Sequence, residues 1–263
     1  MPMVPPQQPG CLGSAWHDIT SSPNWVRWVL LLMVMKCVPI LGFHVTGYGL
    51  EWSADAARGS VSTQLPQGNF STRTFLTGLF TAILGLLFGI ANVWLLALAA
   101  IPVLGWVIPI AVLVFGSALY TLACVRMALF GRFGQAFQLS DLFSAYKRGV
   151  GSLVAAVVLP VVIVNAIYFL IVLLFGDGTA VGLFLTSLRG STYGAAHMAS
   201  PVGTLFGLGA LFVVLCLIGQ FLNGFAEIWS FRAAGIWVRR NAPEWASEAQ
   251  GMARRRCSRP PWM

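Results

Sequence analysis

The feature that most constrains this chain is an uncharged block of 52 residues between Arg73 and Arg126. As one straight helix the block would be about 78 Å long, at about 1.5 Å per residue, whereas the hydrocarbon core of a bilayer is about 30 Å thick. We therefore predict that it folds into two membrane-spanning helices, at about residues 75–98 and 106–126. The stretch "AAIPVLG" at 99–105 supplies the proline and glycine for the turn between them.

Two further uncharged blocks follow, residues 149–176 and 190–226, with 28 and 37 residues. Each is long enough to cross a bilayer, which takes about 20 apolar residues. They predict one span at about 150–174 and another that starts near Pro201 and extends past the bilayer towards Val238.

An apolar run that begins at Trp25 predicts a first span over about 25–50, kinked at Pro39. Only 9% of the residues are charged, against about 25% in a soluble domain, so the chain lacks the charge to cover a soluble surface. The sequence therefore predicts an all-α fold, a polytopic transmembrane helix bundle of about five spans.

We divide the chain into a transmembrane helical domain at 23–240 and two flanking segments. Residues 1–22 are proline-rich and predict a disordered N-terminal tail. Residues 241–263 predict a mobile, basic cytoplasmic tail.

Between the third and fourth spans we predict a short interfacial helix over 140–148, capped by Ser140 or Asp141. The apolar side chains that recur there at helical spacing are Leu139, Leu142, Phe143 and Tyr146.

The positions of the basic residues predict the orientation. Basic residues concentrate in cytoplasmic loops, and here thirteen fall on one side and two on the other, with Lys36 inside a span. Five spans then imply a plasma-membrane protein with its N-terminus outside and its C-terminus in the cytoplasm. A rival arrangement breaks residues 25–50 at Pro39 into a re-entrant hairpin, which would leave the N-terminus inside. The residues that we expect to contact anionic lipid are Lys147, Arg148, Arg239, Arg240, Arg254, Arg255 and Arg256.

Several short motifs occur in a characteristic order. They are Pro23 with Trp25, "VPILG" at 38–42, Gly47-Tyr48, Arg58-Gly59, Leu65-Pro66, Gly78-Leu79, "GRFGQAF" at 131–137 and the pair Lys147-Arg148. In this order the chain resembles, over about residues 20–240, an uncharacterised prokaryotic membrane family, domain of unknown function 4013. It departs from the family's pattern after Leu65-Pro66, where "QGNF" stands in place of an aromatic and acidic stretch. The resemblance implies an architecture and no activity.

The sequence gives no sign of an enzyme. It has no metalloprotease or nucleotide-binding motif, and the cysteines form no metal or disulfide pattern. Ser117 and His44 could supply a nucleophile and a base, but we expect a packing residue and an interfacial polar group. We therefore expect no enzymatic activity, cofactor, bound metal or nucleic-acid partner.

Two sets of residues are candidates for specific roles inside the bundle. The first consists of glycines in small-x-x-x-small spacing, which lets helices approach closely: Gly85, Gly89, Gly203 and Gly207. The second consists of polar groups in or near spans, which either bond between helices or line a polar path: Lys36, Asn92, Asn165, Gln220, Asn223 and Glu227.

Lys36 is the most informative of these. A straight helix from Trp25 puts it about 16 Å into the bilayer, and Glu227 about 31 Å below an entry point near Phe206. This difference in depth argues against an ion pair between them. We predict instead that Lys36 lies in a small hydrated pocket with Gln220 or Asn223; the alternative is that it faces lipid.

Two functions agree with the sequence, and we favour the first of them. A non-enzymatic membrane scaffold or partner subunit, bound to another membrane protein or a second copy of this chain, agrees with the scarcity of intramembrane charge. A small transporter or channel component agrees with the Gly- and Pro-interrupted spans. Polar residues that converge at one depth near the midplane would favour the second, and the sequence shows this only in part.

Overall fold

The structure is a computed structural model that describes residues 10–59, 71–97, 104–173 and 201–257. These ranges contain helices and no strand. In chain order they are α1 (Cys11–Thr20), α2 (Trp25–Lys36), α3 (Pro39–Ala57), α4 (Thr72–Ala97), α5 (Leu104–Phe130), a 3₁₀ turn (Phe133–Phe137), α6 (Leu139–Lys147), α7 (Val150–Val172), α8 (Pro201–Asn241) and α9 (Pro243–Cys257).

Four of the helices in the described ranges are long and apolar enough to cross a membrane. The stretches are Thr72–Ala91 in α4, Val107–Phe130 in α5, Val150–Val172 in α7 and Phe212–Asn241 in α8. The predicted all-α bundle is therefore confirmed, and the chain is a membrane protein. The bundle differs from the prediction mainly at its first apolar run.

That run is two helices. α2 ends at Lys36 and α3 begins at Pro39, with an extended backbone at Val38 (φ −100°, ψ 117°). Proline is favourable at the first position of a helix, because its missing N–H has no partner there anyway. The predicted single span over 25–50 is therefore wrong, and the chain breaks at Pro39 as the rival arrangement required.

α2 and α3 form an antiparallel hairpin against α8. Cys37, at the turn, approaches the Leu217 carbonyl (Sγ to O, 3.8 Å), and Met33 packs against Gly224, so α2 runs opposite to α8. α3 runs parallel to α8, because Thr46 bonds to Glu227 and Ser53 packs against Gly235 farther along. α2 therefore starts on the side of the bundle where α3 and α8 end.

One end of the bundle collects the charged residues, and we call it the basic end. α3 and α5 finish together there, since Arg58 donates to the Leu129 carbonyl at 2.9 Å. Five of the six ion pairs in the described ranges lie at this end. They are Arg58–Asp55, Arg73–Glu51, Arg126–Asp141, Arg148–Glu244 and Arg232–Asp18.

Both terminal segments are folded against the basic end. α1 buries Ala15 and Ile19, and Asp18 accepts two hydrogen bonds from Arg232, at 2.8 and 2.6 Å. In α9 the Trp245 ring is 3% exposed and lies 4.6 Å from the guanidinium of Arg126. The predictions of a disordered tail at 1–22 and a mobile tail at 241–263 are therefore wrong for the described residues 10–22 and 241–257. Residues 1–9 and 258–263 lie outside the described ranges.

The predicted short helix is confirmed as α6, within one residue at each end. Leu142 is buried, Phe143 is exposed, and the Tyr146 hydroxyl donates to the Phe115 carbonyl at 3.2 Å. The predicted cap is wrong: Gln138 precedes the helix without a side-chain cap. The Asp141 carboxylate instead accepts a hydrogen bond from Arg126 at 2.7 Å.

The backbones of α3 and α4 touch where they cross. A Cβ on Gly47 would lie 1.8 Å from the Thr74 carbonyl oxygen, and one on Gly78 would lie 1.8 Å from that of Phe43. On the opposite side of α3, a Cβ on Gly235 would lie 2.2 Å from a backbone oxygen of Ser53. α3 is thus held between α4 and α8 without intervening side chains, as small residues allow in membranes.

The glycines predicted from spacing contribute less. A Cβ on Gly85 would lie 3.1 Å from the Tyr120 hydroxyl, so Gly85 does allow α4 to approach α5. No described atom lies within 4 Å of a Cβ on Gly89, so the described residues give its predicted packing role no support. Gly203 and Gly207 belong to α8, but their surroundings lie outside the described part of the chain.

The glycine crossing predicts that Gly47→Ala or Gly78→Ala destabilises the protein strongly. Each added methyl would collide with backbone that cannot rotate away, and such overpacking costs about 3 kcal/mol or more. We expect the melting temperature in mild detergent to fall by roughly 5 °C or more for each variant. Gly89→Ala is the matched control on α4 and should change it little, since nothing lies within 4 Å of the added methyl.

The hairpin predicts that both ends of the described chain lie on the same side of the membrane. Fluorescent and phosphatase reporters fused before Cys11 and after Cys257 should report the same compartment. A straight first span would put the two fusions in opposite compartments, and that result would contradict the hairpin.

Candidate functional site

An ion pair bridged by a hydroxyl lies between the hairpin and α8. The Lys36 ammonium is 2.5 Å from one Glu227 oxygen and donates to the Thr46 hydroxyl at 2.7 Å. That hydroxyl donates in turn to the other Glu227 oxygen at 2.6 Å. The side chains of Lys36 and Glu227 are 19% and 24% exposed, so both charges are largely withdrawn from the surface.

Small residues and the hairpin turn bring these three side chains together. Lys36 is the last residue of α2, and its stem packs on Gly224 of α8, where a Cβ would lie 3.2 Å from that of Lys36. Thr46 lies next to Gly47, at the level where α3 crosses α4. Glycine on both sides therefore lets two charged side chains meet inside a helical bundle.

The ion pair forms part of the wall of a cavity of about 530 Å³, which we call the chamber. This volume is within the range of about 300–1,000 Å³ that is usual for ligand pockets. Tyr120 and Thr81 add polar groups, and the Tyr120 hydroxyl donates to the Thr81 carbonyl at 3.0 Å. The amide of Gln220 also lines the chamber, and no hydrogen bond joins it to another described residue. Apolar parts of the wall come from Pro39, Phe43 and Ala82.

A second cavity, the side cavity, lies between α5, α7 and α8 and has a volume of about 490 Å³. It shares Glu227 and Tyr120 with the chamber. Its other walls are mostly apolar, with polar groups from Ser117, Thr121, Asn223 and Ser230. Glu227 and Tyr120 therefore contribute to the walls of both cavities.

The chamber lies in the half of the bundle nearer the basic end. Along α8, Glu227 precedes Arg232 by about 7.5 Å and Gln220 precedes it by about 18 Å. Along α5, Tyr120 precedes Arg126 by about 9 Å. Polar side chains from five helices thus line the chamber over a depth of about 10 Å, inside the candidate spans of α4, α5 and α8.

The predicted absence of a Lys36–Glu227 pair is wrong. That estimate assumed a straight helix from Trp25 and an entry of the last span near Phe206. α2 instead enters from the basic end, the same side as the end of α8, so Lys36 and Glu227 reach the same depth. The predicted pocket partner Gln220 does line the chamber with Lys36, and Asn223 lines the side cavity. Lys36 does not face lipid.

Asn165 is not among the described residues that line the chamber. Asn165 donates to the Val161 carbonyl of its own helix at 2.8 Å. Asn92 belongs to α4, but its side chain lies outside the described part. Ser117 donates to the Val114 carbonyl at 2.9 Å, and the His44 ring lies 5.1 Å from that of Phe75, so the structure does not bring them together as nucleophile and base.

The residues expected at anionic lipid have mixed surroundings. Arg148 donates to Glu244 and to the Asn241 carbonyl, and Arg240 donates to Ser14 at 3.4 Å. The Arg239 guanidinium packs against Gly59, while Lys147 is exposed. Arg254, Arg255 and Arg256 belong to α9, but their side chains lie outside the described part.

Sequence reasoning missed two buried arginines. Arg126 is fully buried and donates to Gln135, Gln138 and Asp141, beside the rings of Phe130 and Trp245. Arg232 bonds to Asp18 and to the Trp52 carbonyl, with its guanidinium 4.4 Å from the Trp52 ring. The prediction of orientation places Arg126 in the loop between the third and fourth spans and Arg232 in the cytoplasmic tail. Their position inside an apolar run, next to aromatic residues, was the available signal.

These features define a helical membrane protein with a charged chamber between a broken helix pair and a long final span. The model of the family described as "Protein of unknown function (DUF4013)" matches residues 29–176, more than half of the chain. The chain belongs to this family, as its motifs suggested. The matched segment contains Lys36, Thr46 and Tyr120 and ends before Glu227. No curated protein and no solved structure matches the chain.

The ion pair predicts a characteristic pattern of stabilities. Lys36→Met or Glu227→Gln alone leaves a largely buried charge without its partner, which costs about 1–3 kcal/mol at this partial exposure. The double variant removes both charges, and we expect its melting temperature in detergent to exceed that of either single variant.

The matched control is the exposed pair Arg148–Glu244, changed in the same way with Arg148→Met and Glu244→Gln. Exposed pairs contribute about 1 kcal/mol or less, so these changes should be small and additive. Additive effects at Lys36 and Glu227 as well would contradict a stabilising contact between them.

Proposed function

We propose that this protein is a small membrane transporter that binds a polar solute in the chamber. The main support is the Lys36–Thr46–Glu227 cluster, because ionisable groups inside a bundle are costly and commonly mark substrate or ion pathways. A broken helix pair beside the cluster is a second support, since transporter sites commonly form at discontinuous helices. The chamber's volume and its polar groups from several helices agree with a site for a small solute.

We further propose that the protein is a multi-pass protein of the plasma membrane with its basic end in the cytoplasm. The support is the positive-inside rule applied to the basic end. There the exposed Lys147 and the arginines of α9 would contact anionic lipid, each contributing about 1 kcal/mol.

The alternative is a non-enzymatic scaffold or partner subunit, with another membrane protein or a second copy of the chain as its partner. That expectation depended on the scarcity of charge within the spans. The paired charges of Lys36 and Glu227, together with the polar groups around them, weaken this argument and favour the transporter. We retain the expectation that the protein has no enzymatic activity.

A water-filled chamber predicts that Cys37 reacts with water-soluble reagents. Cys37 lines the chamber, whereas Cys216 is exposed on the outer side of α8 within a candidate span. Two single-cysteine proteins, one retaining Cys37 and the other Cys216, would be treated in membrane vesicles with a charged methanethiosulfonate. The reagent needs water and a thiolate, so we expect Cys37 to react at least about tenfold faster than Cys216.

Equal rates for the two thiols, or an unreactive Cys37, would mean a dry chamber and would overturn the proposed transport function.

A further inference from the structure

The chamber contains one positive and one negative charge side by side, and no other charged residue lines it within the described part of the chain. We propose that its solute is a zwitterion, a small molecule that carries both an ammonium and a carboxylate. The inference rests on the transport function proposed above and names the class of substrate for the same site.

In this structure the two charges of the ion pair contact each other. Lys36 and Glu227 are in direct contact, and Thr46 bonds to both, so each charge is already satisfied. A solute can bind to these charges only by separating them. Each charge then needs a new partner of opposite sign, because a bare charge at this depth is unfavourable.

A zwitterion satisfies this requirement, since its ammonium can bind Glu227 while its carboxylate binds Lys36. One ion pair is then exchanged for two, and neither protein charge is left alone. An amine without a carboxylate would leave Lys36 unpaired, and a carboxylate without an amine would leave Glu227 unpaired. The site therefore selects for the two charges together.

The rest of the chamber fits such a solute. The Thr46 hydroxyl can donate to a carboxylate or accept from an ammonium, and the Gln220 amide offers both a donor and an acceptor. Pro39, Phe43 and Ala82 form an apolar part of the wall that can receive an aliphatic side chain. A small aliphatic amino acid is the simplest molecule that combines these groups.

Leucine and two analogues that each lack one charged group test the proposal. Isoamylamine lacks the carboxylate, and 4-methylvalerate lacks the ammonium, while both keep the aliphatic chain. Binding to the purified full chain in nanodiscs would be measured by titration calorimetry, with glycine, alanine and valine as a size series. We expect leucine to bind, and each single-charge analogue to bind at least about tenfold more weakly than leucine.

Variants at the ion pair should change this selectivity in opposite directions. Lys36→Met leaves the Glu227 carboxylate alone, so isoamylamine should now bind better than leucine. Glu227→Gln leaves the Lys36 ammonium alone, so 4-methylvalerate should bind better. Glu244→Gln, at an exposed pair far from the chamber, should leave the order of affinities unchanged.

If either single-charge analogue binds the unaltered protein as tightly as leucine, or if no zwitterion binds, the zwitterion proposal is wrong. A reactive Cys37 in the same preparation would leave the transport function standing. An unreactive Cys37 would overturn both the transport function and the zwitterion proposal. Should a variant fail to fold, which its elution in detergent reports, the comparison of the three ligands on the unaltered protein still decides the question.

Discussion

The chamber depends on a contact between backbones. α3 crosses α4 where Gly47 meets Gly78, and it packs on α8 where Ser53 meets Gly235, with no side chain between the helices. A side chain at Gly235 would separate α3 from α8 by about the width of a methyl group. Such a shift would break the hydrogen bond of 2.6 Å between Thr46 and Glu227. Close packing of the hairpin is thus the condition for its charged contact with α8.

The basic end is organised by two arginines that lie within spans rather than in loops. Arg126 donates hydrogen bonds to Gln138, just before α6, and to Asp141 in α6. Its guanidinium also lies over the Trp245 ring of α9. Arg232 connects Asp18 of α1 with the Trp52 carbonyl of α3. Because a buried charge without its partner is unfavourable, these contacts couple the terminal helices to the spanning ones. Segments that look like loose tails in the sequence are therefore parts of the bundle.

Hydropathy predicted α4, α5, α7 and α8 because membrane insertion is decided segment by segment. It could not predict the partner of Lys36, since that depends on the path of the chain after the lysine. A proline that kinks a helix and a proline that starts one look alike in sequence. Pro39 is therefore compatible both with one kinked span and with a break into two helices. Spacing likewise pointed to Gly89, whereas the closest crossing uses Gly47 and Gly78, one glycine from each helix, which no pattern within one segment reveals.

The position of the chamber follows from where the hairpin stops. α2 and α3 turn at Cys37 beside Leu217, and α8 continues to Pro201, about 24 Å farther. Beyond the turn the described helices expose apolar side chains, among them Ile90, Ile110, Leu170 and Phe212. A lysine placed farther along would face this apolar surface without a partner. At the last residue of α2, Lys36 still meets Thr46 and Glu227, so the ion pair lies at the deepest level where the hairpin can surround it.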